Sequence, residues 1–270
     1  MTELSDRYRM TSPEKRTTLD KVDAWWRAAN HVAAGLPGGS GPSIPAVTLT
    51  YAHLNRMIVR RQLRMRFVLG LRDSMAALEA VARMEGTHAM GAPPSGFAAT
   101  GGPSYAQAYA IGRALDEPGL TVACMVSEDE ALSSWQVRAL HDPTTDGAVL
   151  PILYRPTMDC DQLRSVFGAR GWEPIEIGGG TTVADTGELH RSFAGALYVA
   201  LDEIAAITAA ASTDHPARRA HWPMLVLRTP VDWPPAVSVV PAEWFDENGR
   251  PVPEIAQAAP TGDMRMSADG

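Results

Sequence analysis

Two apolar runs, LTVACMV (120–126) and AVLPILY (148–154), constrain the fold of this chain more than any other feature. Runs this apolar and this rich in β-branched residues are typical of parallel strands that are buried on both faces. The stretch between them is polar, has helical spacing in its middle, and is long enough for a crossover helix. The pattern therefore predicts two parallel strands joined by a helix.

Further strand-like runs alternate with helical stretches along the rest of the chain. Short apolar runs predict strands at 66–70, 173–178 and 223–229. Apolar residues at steps of three and four predict helices at 13–35, 50–62, 74–86, 105–115, 161–169 and, the longest, 186–211. This alternation predicts an α/β fold, a doubly wound, mainly parallel sheet flanked by helices with right-handed crossovers.

Residues with special backbone or capping roles mark the loops and the helix ends. The Gly-, Pro- and Ser-rich stretch 35–45 predicts a loop before the helix at 50–62. Ser74 is placed to cap a helix that ends at Gly86. The stretch 88–103 has little periodicity and predicts another loop, either part of a site or flexible.

Composition and charge exclude several classes of function. A net charge of −7 and a pI near 5.5 argue against nucleic acid as a partner. The two cysteines, Cys124 and Cys160, do not make a disulfide framework, and Cys124 lies inside an apolar run, which predicts a role in core packing. Because the N-terminus is polar and no run approaches the length of a membrane span, we expect a cytoplasmic protein with no membrane partner.

A chain of 270 residues is long enough for one large domain or two small ones. Residues 1–13 are polar and are expected to be flexible. Residues 14–229 are expected to form the α/β domain. The region 230–270 is rich in proline, which predicts an extended tail packed on that domain.

In an open α/β sheet the ligand lies beyond the carboxyl ends of the strands. For the two central strands these ends are 127–130 and 154–159. The first holds an acidic cluster of Glu128, Asp129 and Glu130, which would suit a hard cation. A solvated acidic turn with no metal is the interpretation that we favour for this cluster, and His53 is interpreted as a hydrogen-bonded structural residue.

Five segments resemble the N-terminal, diphosphate-binding half of the phosphoketolases. They are LDKVDAWWRAANHV (19–32), TYAHLNRMI (50–58), TDGAVLPIL (145–153), HWPMLVLRTP (221–230) and FDENGRPVPEIAQAAPTGDMRMSA (245–268). Phosphoketolases depend on thiamine diphosphate and cleave ketose phosphates with phosphate to give acetyl phosphate. The segments occur in the family's order, so the resemblance implies the thiamine-diphosphate-binding fold of the diphosphate-domain type.

The resemblance fails where that family holds its metal and diphosphate. The family has a G-D-G-E turn after the strand that corresponds to LTVACMV, and this chain has the sequence SEDE at 127–130. Glu128 stands at the position of the metal-binding aspartate, and Asp129 replaces a glycine. The position of a metal-binding asparagine is occupied by Arg155 and Pro156, which have no side-chain amide. Added negative charge without a full ligand set repels a diphosphate.

The family's histidine-bearing segments also differ in this chain. The segment G-P-G-H-G-G corresponds to 70–75, where Asp73 takes the histidine position. The segment I-H-E-G-G corresponds to 98–102, where only the glycine pair Gly101 and Gly102 survives. A third histidine segment is absent between Trp233 and Ala242. The resemblance therefore implies that general acid–base groups are lost together with the cofactor anchors.

Two functions remain open at this point, beside a third alternative, a decaying remnant with no function, against which the coherent core patterns argue. The first is a non-catalytic or repurposed phosphoketolase-like subunit that needs no cofactor and acts with a protein partner, either a second copy or a phosphoketolase-type chain. The second is an active lyase or transferase on a sugar phosphate or a related small molecule. It would use Arg72, Asp73 and Glu130 as catalytic groups. Gly101, Gly102 and Glu128 would bind the cofactor, which would be thiamine diphosphate with Mg²⁺ shared with a partner chain, whereas no residue is predicted to bind a metal on its own.

Overall fold

The computed structural model describes residues 13–71, 74–86, 105–134, 143–178, 186–211, 221–229 and 240–256. These residues fall into two compact units. The sheet unit is built from the described parts of 64–70 and 98–229, and the helical unit from those of 10–63, 71–97 and 230–256. The predicted division into 1–13, 14–229 and 230–270 stays a prediction.

The sheet unit contains five parallel strands in the order β1-β2-β3-β5-β4. They are β1 (Arg64–Leu69), β2 (Leu120–Ser127), β3 (Ala148–Tyr154), β4 (Trp172–Ile177) and β5 (Trp222–Leu227). Every residue of β3 and β5 is buried, whereas burial varies along the edge strand β4. The predicted parallel α/β sheet is therefore confirmed.

A proline in the middle of β3 shows how the central strands accommodate a residue without an N–H group. Pro151 lies opposite Cys124 of β2. On the other side, the pairing of β3 with β5 begins only at Ile152, one residue after the proline. The missing donor therefore falls outside the paired part of the β3–β5 ladder. Cys124 is fully buried, as predicted for a core residue.

Four helices belong to the sheet unit. They are α4 (Tyr105–Ala114), α5 (Glu128–Ser134), α6 (Cys160–Gly168) and α7 (Thr186–Ala211). The chain passes from β1 through β2 and β3 to β4 in one direction across the sheet, and returns through α7 to β5 between β3 and β4. Because parallel crossovers are right-handed, this reversal places α7 on the opposite face of the sheet from α6, so the sheet is doubly wound.

One helix among the described residues, α7, is long and apolar enough to cross a membrane by length and composition. A core helix passes the same test. The apolar stripe of α7 packs against β4 and β5, and Leu189, Phe193, Leu197 and Leu201 within it are buried.

The helical unit contains α1 (Pro13–Ala34), α2 (Ile44–Arg61) and α3 (Met75–Glu85), which pack against one another. The helix α2 begins at Ile44, six residues before the predicted start at 50. The reason is that Pro45 lies in the first turn, where its missing N–H has no intrahelical partner to lose. Its carbonyl accepts a hydrogen bond from the Trp26 indole Nε1 at 2.8 Å, which links α2 to α1.

The helix α3 ends where predicted at Gly86, but the predicted capping by Ser74 at its start is only partly confirmed. Ser74 occupies the N-cap position, but its side chain does not cap the helix. The two hydroxyls of Ser74 and Ser43 are instead hydrogen-bonded to each other at 2.7 Å in a buried contact. At the other end, Gly86 closes the helix with a φ of +69°, a conformation that favours glycine. His53 of α2 is fully buried, in agreement with a structural role.

The described part of the C-terminal region, 240–256, differs from the predicted extended tail. It contains a 3₁₀ helix (Ala242–Trp244), a tight turn and a short helix α8 (Pro253–Ala256). The carboxylate of Asp246 accepts hydrogen bonds from the backbone N–H groups of Asn248 and Arg250, and Gly249 supplies the positive φ that the turn needs. Local side-chain bonds therefore override the proline-rich pattern here.

A matched pair of leucine substitutions tests the core of the sheet unit. Leu225 lies in β5 with 0% of its surface exposed, whereas Leu115 after α4 is 45% exposed. We expect Leu225→Ala to lower the free energy of unfolding by about 2–5 kcal/mol, because it leaves a cavity in the sheet core. Leu115→Ala should change it by less than about 1 kcal/mol. Urea denaturation of both variants checks this, and equal losses would contradict the assigned core.

Candidate functional site

The candidate site lies where β2, β3 and β5 end side by side. Ser127 of β2 is opposite Tyr154 of β3, and Tyr154 is opposite Leu227 of β5. The residues that follow, Glu128, Arg155 and Arg228, therefore start from neighbouring positions at the same edge of the sheet. The two strand ends at which the sequence analysis expects a ligand, 127–130 and 154–159, are in direct contact. That they bind a ligand stays a prediction.

Glu128 makes that contact. One oxygen of its carboxylate, Oε2, accepts hydrogen bonds from the backbone N–H and the hydroxyl of Thr157, both at 2.6 Å. The other oxygen, Oε1, accepts a hydrogen bond from the backbone N–H of Met158 at 3.2 Å. Burial alone would raise the pKa of Glu128, but these hydrogen bonds and the nearby charge of Arg228 outweigh it and hold that pKa below its ordinary value.

Arg228, which follows β5, donates hydrogen bonds to the same loop. Its guanidinium donates from Nη1 to the Pro156 carbonyl at 3.0 Å and from Nη2 to the Met158 carbonyl at 2.6 Å. Its Nε donates to the Glu176 carboxylate of β4 at 3.0 Å. We call these contacts, from Glu128 through the 156–158 loop and Arg228 to Glu176, the carboxyl-edge network. The network ties together the ends of β2, β3, β4 and β5.

A thiol and a helix cap lie at the border of the carboxyl-edge network. The Cys160 thiol is hydrogen-bonded to Glu176, and that bond, with burial and the charge of Glu176, raises the thiol pKa. Asp159 caps α6 by accepting a hydrogen bond from the Gln162 N–H at 2.8 Å, and the Gln162 side-chain oxygen accepts one from the Asp159 N–H at 2.9 Å. The loop before α6 is therefore held at both of its ends.

Arg155 turns the chain out of β3. Its φ is +46°, a left-handed conformation that costs a non-glycine residue roughly 1 kcal/mol. Its backbone N–H donates to the Leu227 carbonyl at 2.9 Å, so this conformation continues the pairing with β5. The guanidinium carbon lies 6.0 Å from the centre of the Tyr154 ring, where a cation–aromatic contact is favourable.

Glu130, two residues beyond Glu128, lies over the end of β1. It is 9% exposed, and a Cβ atom added at Gly70 would come within 2.5 Å of its Oε2 oxygen and 3.0 Å of the Ala106 Cβ. The Glu130 carboxylate therefore packs directly on the glycine backbone. Burial, and secondly the charge of Glu130, raise the pKa of the Cys124 thiol and keep it protonated.

The interpretation of the acidic cluster as a solvated turn is wrong for two of its three residues. The cluster begins helix α5, and successive helical positions send the side chains in different directions. Glu128 is engaged by Thr157 and Met158, Glu130 is buried, and only Asp129 is exposed. Among the described residues, no three His, Cys, Asp or Glu side chains are grouped so that they could hold a metal.

Four of the residues predicted for the site, Arg72, Asp73, Gly101 and Gly102, lie outside the described residues, and their roles stay predictions. The two that are described, Glu128 and Glu130, face different strand ends. Sequence reasoning did not single out Arg228 or Thr157. A charged residue directly after the apolar run of β5 is the signal that could have identified Arg228.

Comparisons with known proteins show which family this chain belongs to. The family model described as XFP N-terminal domain matches residues 84–237. A probable phosphoketolase of Synechococcus elongatus is 31% identical, in an alignment that covers 92% of this chain and 44% of the relative. Probable phosphoketolases of Nocardia farcinica and Clostridium acetobutylicum are 31% and 28% identical, covering 95% and 93% of this chain and 43% and 44% of each relative.

Two facts about length follow from these alignments. The chain spans less than half the length of the curated relatives it matches. The alignment with the Synechococcus protein runs over 352 residues, more than the 270 residues of the chain. The relative therefore has internal residues, within the matched region, that this chain lacks.

The hydrogen bonds of Glu128 generate a pH-dependent prediction. We expect Glu128→Gln to lower the free energy of unfolding by about 1–2 kcal/mol at neutral pH, because the charged acceptor of three hydrogen bonds is lost. A pKa held below its ordinary value stabilises the fold above the unfolded-state pKa of about 4.3, and this stabilisation is lost as pH falls through the folded-state pKa. The difference between the two proteins should therefore shrink below about pH 4.

The control for this prediction is Asp129→Asn, which removes the exposed carboxylate next to Glu128. It should change the free energy of unfolding by less than about 0.5 kcal/mol. Chemical denaturation at several pH values checks both variants. A Glu128→Gln effect that is constant with pH would show that the ionised carboxylate contributes nothing.

A double-mutant cycle tests the contact between Glu130 and Gly70. We expect Gly70→Ala to lower the free energy of unfolding by about 1–3 kcal/mol, because the new Cβ would overlap the Glu130 carboxylate. In the Glu130→Ala background the carboxylate is absent, so the same change should cost at least about 1 kcal/mol less. Denaturation measures the loss in both backgrounds. If Gly70→Ala lowers the free energy of unfolding equally in the parent chain and in Glu130→Ala, the steric conflict does not involve Glu130.

Proposed function

Because the chain belongs to the XFP N-terminal domain family, we propose that it is a phosphoketolase-like protein without catalytic activity of its own, acting as a subunit of a complex. The observation that carries the proposal is the state of the Glu128 carboxylate. By resemblance this group stands where the family has a metal-binding aspartate. Here all of its described contacts are with the protein's own N–H and O–H donors.

The hydrogen bonds of Glu128 leave it little capacity to hold a metal. A Mg²⁺ ion needs near-octahedral oxygen ligands at about 2.0–2.1 Å, and three accepted hydrogen bonds leave this carboxylate about one lone-pair site to offer. The position of the second family ligand holds Arg155, whose positive charge opposes a cation. The residues present therefore do not fit the magnesium of a thiamine diphosphate unit.

The end of β1 is part of the scaffold that matches the family. The buried Glu130 carboxylate occupies the space above Gly70. By resemblance both residues match the family's motifs, Gly70 in G-P-G-H-G-G and Glu130 in G-D-G-E, so this contact supports a preserved scaffold rather than a lost diphosphate site.

The intact core of the sheet unit supports the proposal, because it indicates that selection still maintains the fold. The strands β2, β3 and β5 are buried over nearly their whole length, and their edge is cross-linked by the carboxyl-edge network. Internal residues of the relative are missing from this chain, although the sheet remains complete enough to pack. A folded scaffold without its cofactor groups is suited to binding another protein, either a second copy or a phosphoketolase-type chain.

Ligand-dependent stability tests the proposal directly. We expect no change in the thermal midpoint of the full chain on addition of Mg²⁺ with thiamine diphosphate, and none with Mg²⁺ and inorganic pyrophosphate. A ligand at about 100 times its Kd would add about 2.7 kcal/mol to the free energy of unfolding, which such a scan would detect. We also expect no acetyl phosphate from a ketose phosphate and phosphate.

A full-length phosphoketolase, carried through the same assays, is the positive control. A stabilisation by pyrophosphate and Mg²⁺ would contradict the loss of the anchor itself. A stabilisation by thiamine diphosphate without acetyl phosphate formation would favour the alternative, a cofactor-binding unit that needs a second chain to complete its site. Acetyl phosphate formed by the purified chain would contradict the proposal outright.

A further inference from the structure

A buried hydroxyl without a partner lies just after β5. Thr229 is 9% exposed, and its Oγ1 atom has no hydrogen-bond partner among the described residues. Such a hydroxyl is unfavourable, because it has lost its contact with water and has gained no hydrogen bond in return. The Thr229 hydroxyl is therefore available to a group from outside the chain.

Thr229 lies on the face of the sheet that α7 covers. The Arg228 N–H donates to the Ile177 carbonyl at 3.0 Å, so the chain stays extended beyond the end of β5. Side chains of an extended chain alternate between the two faces of the sheet. Arg228 reaches the 156–158 loop, which precedes α6, so the next side chain points to the opposite face.

A guanidinium whose N–H groups have no acceptor among the described residues starts from the neighbouring strand end. The contacts of Arg155 are its backbone hydrogen bond to Leu227 and its cation–aromatic contact with the Tyr154 ring. Tyr154 is opposite Leu227, and Thr229 is two residues beyond Leu227, so Tyr154 and Thr229 share a face. The half-buried Arg155 guanidinium and the Thr229 hydroxyl therefore lie on the same side of this edge.

The start of α7 adds a weaker attraction for negative charge. A Cβ atom added at Gly178 would lie 2.5 Å from the Arg228 carbonyl oxygen and 3.4 Å from Leu189 Cδ1, so the first turn of α7 is next to the backbone that leads into Thr229. The N-terminal end of a helix carries a partial positive charge. Glu188, the acidic residue of this turn, is exposed to solvent. This part of the edge therefore favours an anion over a cation.

One positive charge and one hydroxyl donor suit a carboxylate. The Arg228 charge at the same edge is already paired with the Glu176 carboxylate at 3.0 Å. A planar guanidinium binds a carboxylate through two parallel hydrogen bonds, and the hydroxyl supplies a third. A dianion such as sulfate would keep one negative charge unmatched. Because the Thr229 hydroxyl is buried, only a small acid can reach it.

We propose that the carboxyl edge binds the carboxylate of a small organic acid without a metal, through the Arg155 guanidinium and the Thr229 hydroxyl. The proposal does not rest on the absence of catalytic activity, because Glu128, at the position of the family's metal ligand, is not part of this site. A single charge-assisted pair with one further hydrogen bond predicts a Kd of roughly 1–10 mM at low ionic strength. The affinity should fall as the salt concentration rises.

Titration of the full chain with sodium acetate tests the site. The buffer is metal-free, and sodium chloride keeps the ionic strength constant. In the ¹⁵N-labelled chain, backbone amide resonances at the ends of β3 and β5 should shift and saturate with one Kd. Sodium sulfate, a dianion at neutral pH, should bind at least about threefold more weakly than acetate.

A matched pair of arginine substitutions separates the site from general charge effects. Arg155→Gln should weaken acetate binding at least about tenfold, because the charged half of the pair is lost. Arg27→Gln removes the same charge from an exposed ion pair with Asp23 on α1. This control should bind acetate like the parent chain.

Thr229→Val tests the hydroxyl, because it removes that group and keeps the size of the side chain. The hydroxyl has no partner in the free chain, so the thermal midpoint without acetate should be unchanged or higher. Acetate should nevertheless bind at least about threefold more weakly. A hydroxyl that serves only the fold would give the opposite pattern, a lower thermal midpoint with the parent's affinity.

Four results would overturn the proposal. They are shifts that do not saturate up to about 100 mM acetate, parental affinity in Arg155→Gln, parental affinity in Thr229→Val, and sulfate binding as tight as that of acetate. Stabilisation by Mg²⁺ with pyrophosphate would contradict the proposed function but not this site, since the acetate titration contains no metal.

Discussion

The register of the parallel sheet is the constraint on which the rest of the structure depends. Ser127, Tyr154 and Leu227 lie side by side in β2, β3 and β5, so the loops that follow these three strands leave from one edge. A shift of one residue in either pairing would turn every side chain of the shifted strand to the other face of the sheet. The contacts of Glu128 and Arg228 with the 156–158 loop exist only in this register.

The two glutamates of α5 each make a different contact within the sheet unit. Glu128 accepts hydrogen bonds from N–H groups of the 156–158 loop, while Glu130 covers the glycine at the end of β1. Both carboxylates stabilise the edge of the sheet by contacts within the chain. The fold of the family is therefore compatible with an edge that is closed by its own side chains, and fold alone does not establish the family's chemistry.

The helix α7 decides where the last strand enters the sheet. Its buried stripe packs on β4 and β5, and the position of β5 between β3 and β4 depends on its return path. Because residues three and four apart line one face of a helix, the apolar residues of that face are enough to fix it on the sheet.

The sequence by itself determined the element order and the parallel sheet, because long buried strands and amphipathic helices leave strong periodic patterns. It also placed the two segments of the candidate site at the same edge, and it predicted the burial of Cys124 and a structural role for His53. Only the tertiary structure decided that β5 enters between β3 and β4, since strand order depends on long-range pairing that no local pattern encodes. The same holds for Glu128, whose partners are about thirty residues away, and for Arg228, whose partners in the 156–158 loop are about seventy residues away. A carboxylate in a run of acids looks solvated in sequence, and only packing shows which N–H groups it meets.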